Sequence, residues 1–294
     1  MDRVFILNPQ AGFRKIEEQT RLIRKYFGEE AIIRLTEKAR HAEAIAKEYI
    51  NAVIYAVGGD GTANEVMCGT VGTENALCVV PAGSGNDFVR TAYKDLPDKK
   101  RTVEGVLDAS RTMVSRYIDG AEINDTYFMN IASVGFDAEV VRNAEKFARI
   151  PFLRKISYIL SLIYTIFRYH GTELEIEVDG KTYKQKALLC CVANGEYYGG
   201  GIHIAPEAVC DDGLLETYLI DAVSTLRFLS VLPKLTKGKH TTTKYVHRFS
   251  ARHVVLKGHD LTLNIDGELS PVEQATINVL PGKLKILAPE KAQG

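Results

Sequence analysis

Apolar residues in the first third of the chain fall into short blocks that alternate with helically spaced ones. Arg3–Leu7 is a strand-like block that stops at Asn8-Pro9, and Ile16, Leu22, Ile23, Tyr26 and Phe27 line one face of a helix over Ile16–Phe27. The same reading predicts a strand over 31–35, a helix over 39–50 and a strand over 52–57 that runs into Gly58-Gly59-Asp60-Gly61. A helix from Thr62 and a strand over 76–80, broken by Pro81 and Gly83, complete the series. Strand–helix alternation of this length implies right-handed crossovers and a parallel sheet. Ligands of such sheets bind at the carboxyl ends of the strands. Three turn-rich segments, 8–12, 58–61 and 81–85, fall at those ends.

From about residue 113 the texture changes to short β-like runs, at 113–119, 127–132, 173–178, 187–193, 214–220, 253–256, 261–265 and 276–279. Asp179-Gly180 and Asp266-Gly267 have the residue types of tight hairpin turns. Helical interruptions are expected near 151–169 and 224–235. The pattern predicts two domains, an α/β parallel-sheet domain over 1–112 and a β-rich sandwich over 113–294, the last residues of which pack back on the first.

Length and composition agree with this division. The chain has 294 residues, 46% hydrophobic and 25% charged, which is globular usage. Lys and Arg total 37, as do Asp and Glu, so the chain lacks the basic excess of a nucleic-acid scaffold. The five cysteines, Cys68, Cys78, Cys190, Cys191 and Cys210, form no CxxC pair, as expected of reduced thiols in a cytoplasm. The longest apolar run, 156–167, is too short to span a bilayer, which needs about 20 residues. It is flanked by Arg154, Lys155 and Arg168. A helix there could lie in a membrane interface or be a core helix with snorkelling ends. A cytoplasmic protein is expected, with peripheral contact at the inner membrane face.

The segment Gly58–Glu65 carries the sharpest chemical signal. A buried strand ends, glycines turn the chain, and Thr62 with Glu65 has the spacing of a capping box. The amides at a helix start favour a phosphate. A carboxylate at Asp60 is repulsive there unless a cation intervenes, so the segment is either a nucleotide site in which Asp60 acts through magnesium, or a tight turn with an exposed acid. Neither a Walker loop nor the G-x-G-x-x-G dinucleotide fingerprint is present. In 264–268, Asn-Ile-Asp-Gly-Glu, Glu268 is either a general base for an attacking hydroxyl or part of a solvated turn. The acidic turn Asp211-Asp212-Gly213 has the same two readings. Four lysines and His240 between Lys234 and Lys244 could meet anionic groups or simply be solvated. His247, His253 and His259, spaced by six, lack metal-ligand spacing.

Taken in order, the Asn8-Pro9 turn, GGDGT at 58–62, PAGSGNDF at 81–88, DDGLL at 211–215 and NIDGE at 264–268 resemble the diacylglycerol-kinase catalytic domain and the bacterial soluble lipid kinases of the diacylglycerol/YegS type. The resemblance extends over essentially the whole chain and, more distantly, to NAD kinases. It implies a Rossmann-like, NAD-kinase-like first domain and a C-terminal β-sandwich. It further implies an ATP-dependent transfer of phosphate to a lipid hydroxyl. By position, it places ATP against Asn8, Pro9, Gln10, Ala11, Gly12, Thr36, Gly58, Gly59, Asp60, Gly61, Thr62, Ala63, Asn64 and Ser84. Asp60 and Asp87 would orient a catalytic Mg2+, Glu268 would be the base, and Asp212 with the carbonyls of Val209 and Leu214 would hold a structural magnesium. Family relatives include dimers, so a homodimer is expected. The chain departs from the pattern at Gln10-Ala11 before Gly12, at Ser84 in place of Thr, and in the short stretch after Lys285. The rival readings are a kinase for a soluble hydroxyl such as NAD, and a non-catalytic nucleotide- or lipid-binding regulator.

Overall fold

The structure is a computed structural model that describes residues 2–11, 15–150, 152–153 and 156–290. Gly12, Arg154 and Lys155, each singled out above, lie outside the described residues.

Four parallel strands, β1 (Arg3–Leu7), β2 (Ile32–Leu35), β3 (Val53–Gly58) and β4 (Ala76–Pro81), stand side by side in the order β4-β3-β1-β2. Their register, Val4 beside Ile32 and Ile54, and Ile54 beside Leu77, brings the carboxyl ends of β1, β3 and β4 to one edge. β3 and β4 are buried along their whole length, as the near-continuous apolar runs of a parallel sheet covered on both faces require. Helices α1 (Ile16–Phe27), α2 (His41–Ala46), α3 (Asp60–Thr70), α4 (Asp87–Ala92) and α5 (Val103–Ala109) follow these strands.

The remaining strands are β5 (Val114–Ile123), β6 (Thr126–Phe128), β7 (Ile131–Gly135), β8 (Thr172–Val178), β9 (Lys181–Ala193), β10 (Leu215–Asp221), β11 (Val246–Ala251), β12 (His253–Ile265) and β13 (Glu268–Ala288). Three helices accompany them, α6 (Phe136–Ala148), α7 (Ser157–Arg168) and α8 (Thr225–Leu235). Both expected hairpins form. Asp179-Gly180 and Asp266-Gly267 have positive φ at both residues, the twist that joins right-twisted antiparallel strands.

Strand β13 joins the two halves. It pairs with β12 from Glu268 to Asn278, bends where the register slips between Leu280 and Leu284, and runs on beside β5. At Ile286 it meets Leu77 of β4 in parallel. Leu284, Ile286, Leu287 and Ala288 are buried in the core of the α/β half. A strand near the end of the chain thereby joins the sheet of the α/β half, Ile286 pairing with a residue 209 positions earlier.

Three local expectations need correction. Helix α2 spans His41–Ala46 rather than 39–50: Arg40, in the left-handed region, stands just outside its start, and turn residues follow Ala46. Helix α3 begins at Asp60, two residues before Thr62, so no capping box forms: Thr62 accepts a hydrogen bond from Asn8 Nδ2 (3.2 Å), and Glu65 accepts one from the backbone of Ala42 (3.0 Å). Helix α6 was not expected. It starts directly after Gly135, where strand residues run into helical ones without the usual polar break.

Candidate active site

The loops after β1, β3 and β4 are locked together by their own backbones. Asn8 N donates to Val57 O (3.3 Å), and Ala82 N and Gly83 N donate to Gly58 O (2.9 and 3.0 Å). The loops after β3 and β4 touch at two glycines: a Cβ on Gly83 would stand 2.3 Å from the Cα of Gly59, a distance no side chain tolerates. Asn86, in the left-handed region, pins the second loop by accepting from Gly83 N (3.1 Å) and donating to Gly83 O (2.7 Å).

Asp60 joins these loops from within the glycine turn. Its Oδ1 accepts the amides of Asp87 (2.8 Å) and Phe88 (3.5 Å), the free donors at the start of α4. Asp87 is buried, its Oδ2 receives Gly200 N (2.8 Å), and its Oδ1 has no hydrogen-bond partner, with Arg90 Nε 3.7 Å away. The Oδ2 atoms of Asp60 and Asp87 lie 2.6 and 3.5 Å from the point a Gly85 Cβ would occupy, so both carboxylates face one small space that glycine keeps open. Burial raises the Asp87 carboxyl above its usual range; the Gly200 amide opposes this and the negative Asp60 adds to it.

The other half contributes further acids. Asp266, at the β12–β13 turn, accepts Ile131 N on Oδ1 (2.9 Å) and leaves Oδ2 unpartnered. Burial, with Asp60 as the main negative neighbour, pushes its carboxyl up to about 7. Asp137, in the first turn of α6, is buried, and its Oδ2 receives Ser133 Oγ and Asn264 Nδ2, the latter at 2.9 Å. Asn264 in turn accepts Gly267 N (3.0 Å), so the head of α6 is tied to the hairpin turn.

These groups surround one cavity of about 610 Å3. The α/β half lines it with Gly59, Asp60, Gly61, Ser84, Gly85 and Asp87, and the other half with the apolar Phe136, Val140, Val141, Leu162 and Ile202 together with the acids Asp137 and Asp266. The clustered hard oxygens, several unpartnered, fit a divalent cation such as magnesium, and the glycine turns at the start of α3 fit a phosphate.

The sequence-predicted residues divide within this frame. Gly59, Asp60, Gly61, Ser84 and Asp87 line the cavity, with Thr36 at the same sheet edge, where its backbone N donates a hydrogen bond to Leu7 O (2.9 Å). Asn8, Pro9, Gln10 and Ala11 form the neighbouring turn, closed by Asn8 Oδ1 accepting from Gln10 N (2.9 Å). Gly58, Thr62 and Ala63 are buried beneath it, and position 58 is glycine because a Cβ there would strike the Thr62 side chain, while Asn64 turns towards Tyr127 O of β6. Glu268 is exposed at the start of β13, directly after Gly267 of the cavity wall. Val209, Asp212 and Leu214 share an outlying loop in which Asp212 Oδ1 accepts Leu214 N (3.0 Å). The residue that secures this loop, Asp119, was missed: it is buried and accepts Gly213 N (2.7 Å) and Gly282 N (2.8 Å). Asp137 and Asn264 were missed as well, and Asp266 was passed over for Glu268. The strand–glycine–acid step at 134–137, which repeats the logic of 57–60, was the available signal for Asp137.

Comparison with known proteins gives the family of the chain. Residues 2–116 match the diacylglycerol kinase catalytic domain, and residues 130–288 match the YegS C-terminal NAD kinase beta sandwich-like domain. A diacylglycerol kinase of Bacillus subtilis is 30% identical over 235 residues, 78% of this chain and 75% of the relative. The chain belongs to the diacylglycerol kinase family. It is a phosphotransferase with an alcohol group as acceptor, and its fold is the NAD-kinase-like pair of an α/β and a β-sandwich-like domain. The lipid kinase YegS of Escherichia coli is 28% identical over 257 residues, covering 85% of this chain and 82% of that one. Among solved structures, a diacylglycerol kinase from Bacillus anthracis superposes with a TM-score of 0.70 at 20% identity, over 97% of this chain and 96% of the other. An NAD kinase from Archaeoglobus fulgidus in complex with ATP shares the fold at a TM-score of 0.53 and 14% identity, over 98% and 94% of the two chains. Among the described residues of this family member, no helix is long and apolar enough to cross a membrane.

Proposed function

We propose that this kinase transfers the γ-phosphoryl group of ATP to a hydroxyl of a lipid, diacylglycerol or a similar molecule. One observation supports this above others: a single cavity is lined both by glycine turns with carboxylates and by a set of apolar side chains. ATP would lie along 8–12, Thr36, 58–64 and Ser84, with its phosphates at the start of α3. Asp60 and Asp87 would hold magnesium, which when bound offsets charge on the triphosphate. Glu268 takes the acceptor proton as the hydroxyl oxygen bonds to the γ-phosphorus. The bond from that phosphorus to the bridging oxygen breaks, and ADP leaves. Supporting Glu268, the Asp266-Gly267 turn faces the cavity and Glu268 is the next residue of the hairpin. In the outlying loop, Asp212 and the Val209 and Leu214 carbonyls would hold a structural magnesium.

The lipid would arrive from a membrane surface. Helix α7 presents Ile159, Ile163 and Phe167 to solvent at 50–60% exposure, and Phe152 just before it is 81% exposed. Tyr158 and Leu162 of the same helix line the cavity, so the apolar outer face and the acceptor wall are continuous. This surface supports peripheral membrane contact.

The test is transfer of label from [γ-32P]ATP to detergent-dispersed diacylglycerol, to total lipid extract and to NAD by the purified chain, with products identified by mass. A labelled lipid is the expected product. Label in NAD alone would establish a soluble acceptor, and ATP binding without any labelled acceptor would establish a regulator.

A further inference from the structure

The chain has no net charge, but its charges are unevenly placed. Residues 146–172 and 222–247 hold ten Lys or Arg and no Asp or Glu, which leaves 27 cations against 37 acids, a net −10, in the rest of the chain. These two stretches contain α7 and α8, and the helices meet in the fold. Thr225 Oγ1, at the start of α8, donates to Ile166 O near the end of α7 (3.4 Å), and Ile166, Phe228 and Leu235 share one core. Helix α8 is apolar on its outer side as well: Leu226 is 82% exposed, and Leu229 is exposed three residues on. Phe167 and Leu226, the chain neighbours of the bonded Ile166 and Thr225, place exposed apolar side chains of both helices where the helices meet. Arg168 ends α7, Arg227 lies in α8, and Lys234, Lys237, Lys239 and Lys244 follow in its last turn and the loop after it. All six are exposed, and none makes an ion pair among the described residues, whereas Arg248 just beyond pairs with Glu216 (2.6 Å).

We propose that the α7–α8 face docks on an anionic lipid bilayer, and that the lipid phosphate the enzyme makes strengthens this docking. The inference rests on the lipid-kinase reading above and adds a regulation to it. Exposed apolar side chains flanked by unpaired cations, with no acid among them, suit a surface of negative headgroups over hydrocarbon. A second copy of this chain suits the face less, because a two-fold contact would set these cations against themselves. An uncharged acceptor such as diacylglycerol adds nothing to the surface charge. Its phosphorylated product adds a headgroup of about −1.5 to −2 charge at each turnover. The bilayer under α7 and α8 therefore grows more negative as the reaction proceeds, and the enzyme is held where it has already acted. Tyr158 and Leu162 of α7 line the cavity, so the same docking brings the cavity to the lipid.

Sedimentation of the full chain with vesicles, without ATP, tests the docking apart from catalysis. Vesicles of phosphatidylcholine are compared with vesicles that also contain phosphatidylglycerol or phosphatidic acid. The anionic vesicles are expected to bind about tenfold or more tightly, and high salt to remove the difference. The triple variant Lys234→Gln/Lys237→Gln/Lys239→Gln is expected to lose most of that preference, with an unchanged rate on a short-chain diacylglycerol dissolved as monomers. Label transfer from ATP to diacylglycerol in phosphatidylcholine vesicles is expected to accelerate with time, and phosphatidic acid present from the start to abolish the lag. Equal binding to neutral and anionic vesicles overturns the proposal without any variant. So does a dimer in solution that Leu226→Ser dissociates, since a second copy then covers the face. A rate that is constant from the outset and indifferent to added phosphatidic acid overturns the reinforcement by product. Preference for anionic vesicles in a chain that labels no lipid fails the lipid-kinase reading, whereas equal binding in a chain that does label lipid fails only this proposal.

Discussion

The carboxylate of Asp60, in the turn after β3, accepts the backbone amide of Asp87, in the loop after β4, at 2.8 Å. Twenty-seven residues separate the two in sequence, and the parallel register of β3 and β4 brings them together. Two acids are thereby fixed side by side in a buried space, an arrangement that repels itself until a cation enters. Asp60→Asn keeps an oxygen for the Asp87 amide but removes the charge. It should lower kcat by about 10³-fold or more, on the scale of losing a principal electrostatic element, with the circular dichroism spectrum unchanged. An unaltered dependence of rate on magnesium would exclude Asp60 from the cation site.

Glu268→Gln removes the proposed base while preserving size. The expected loss is about 10²–10⁴-fold in kcat, roughly 3–5 kcal/mol, with KM for ATP little changed. Steady-state kinetics at saturating ATP and lipid measures it; a rate close to wild type would move the base elsewhere in the cavity.

Asp266 gives a pH dependence with a definite sign. Its carboxyl is raised from the ordinary 3.8 to about 7 in the folded state, so between those values the folded chain holds a proton that the unfolded chain has released. The stability it contributes is full below about pH 4 and is lost as pH rises through 7. In the absence of divalent ions, Asp266→Asn should therefore melt a few degrees above wild type at pH 8 and show no gain at pH 4. Magnesium competes with that proton, so its stabilisation of the wild type should be larger at pH 8 than at pH 5.5. Differential scanning fluorimetry over a pH series reads both effects, and a Mg2+ shift independent of pH would contradict them.

Gly83→Ala tests the loop contact. With 2.3 Å available between the new Cβ and the Cα of Gly59, the two glycine turns must separate. The expected result is a KM for ATP raised about tenfold or more, because the turn that would seat the phosphates is displaced. Gly61→Ala is the control: nothing lies within 4 Å of its Cβ, so crowding adds nothing there and a smaller effect is expected.

Asp119→Ala leaves the amides of Gly213 and Gly282 without their carboxylate, one in the outlying acidic loop and the other at the bend of β13. Both are anchored by the same buried acid, so the melting temperature should fall by several degrees, corresponding to about 2–4 kcal/mol. An unchanged melting curve would show that the bend holds without it.

Much of this molecule follows from local sequence. The alternation of apolar blocks gave β1 to β4 and their crossovers, Asp-Gly dipeptides marked two hairpins, and the glycine turns at 58–61 and 81–85 marked the sheet edge that lines the cavity, because these depend on neighbours a few residues apart. The start of α3 was misplaced for a related reason: Thr62 and Glu65 have capping spacing, but in the fold their side chains serve Asn8 and Ala42, partners that local spacing does not reveal. Only the tertiary structure set Asp137 and Asn264 against the hairpin and carried β13 across to β4. Those features depend on contacts between residues 127 and 209 positions apart, which are fixed by the packing of two halves around one cleft and leave no periodic trace in the chain.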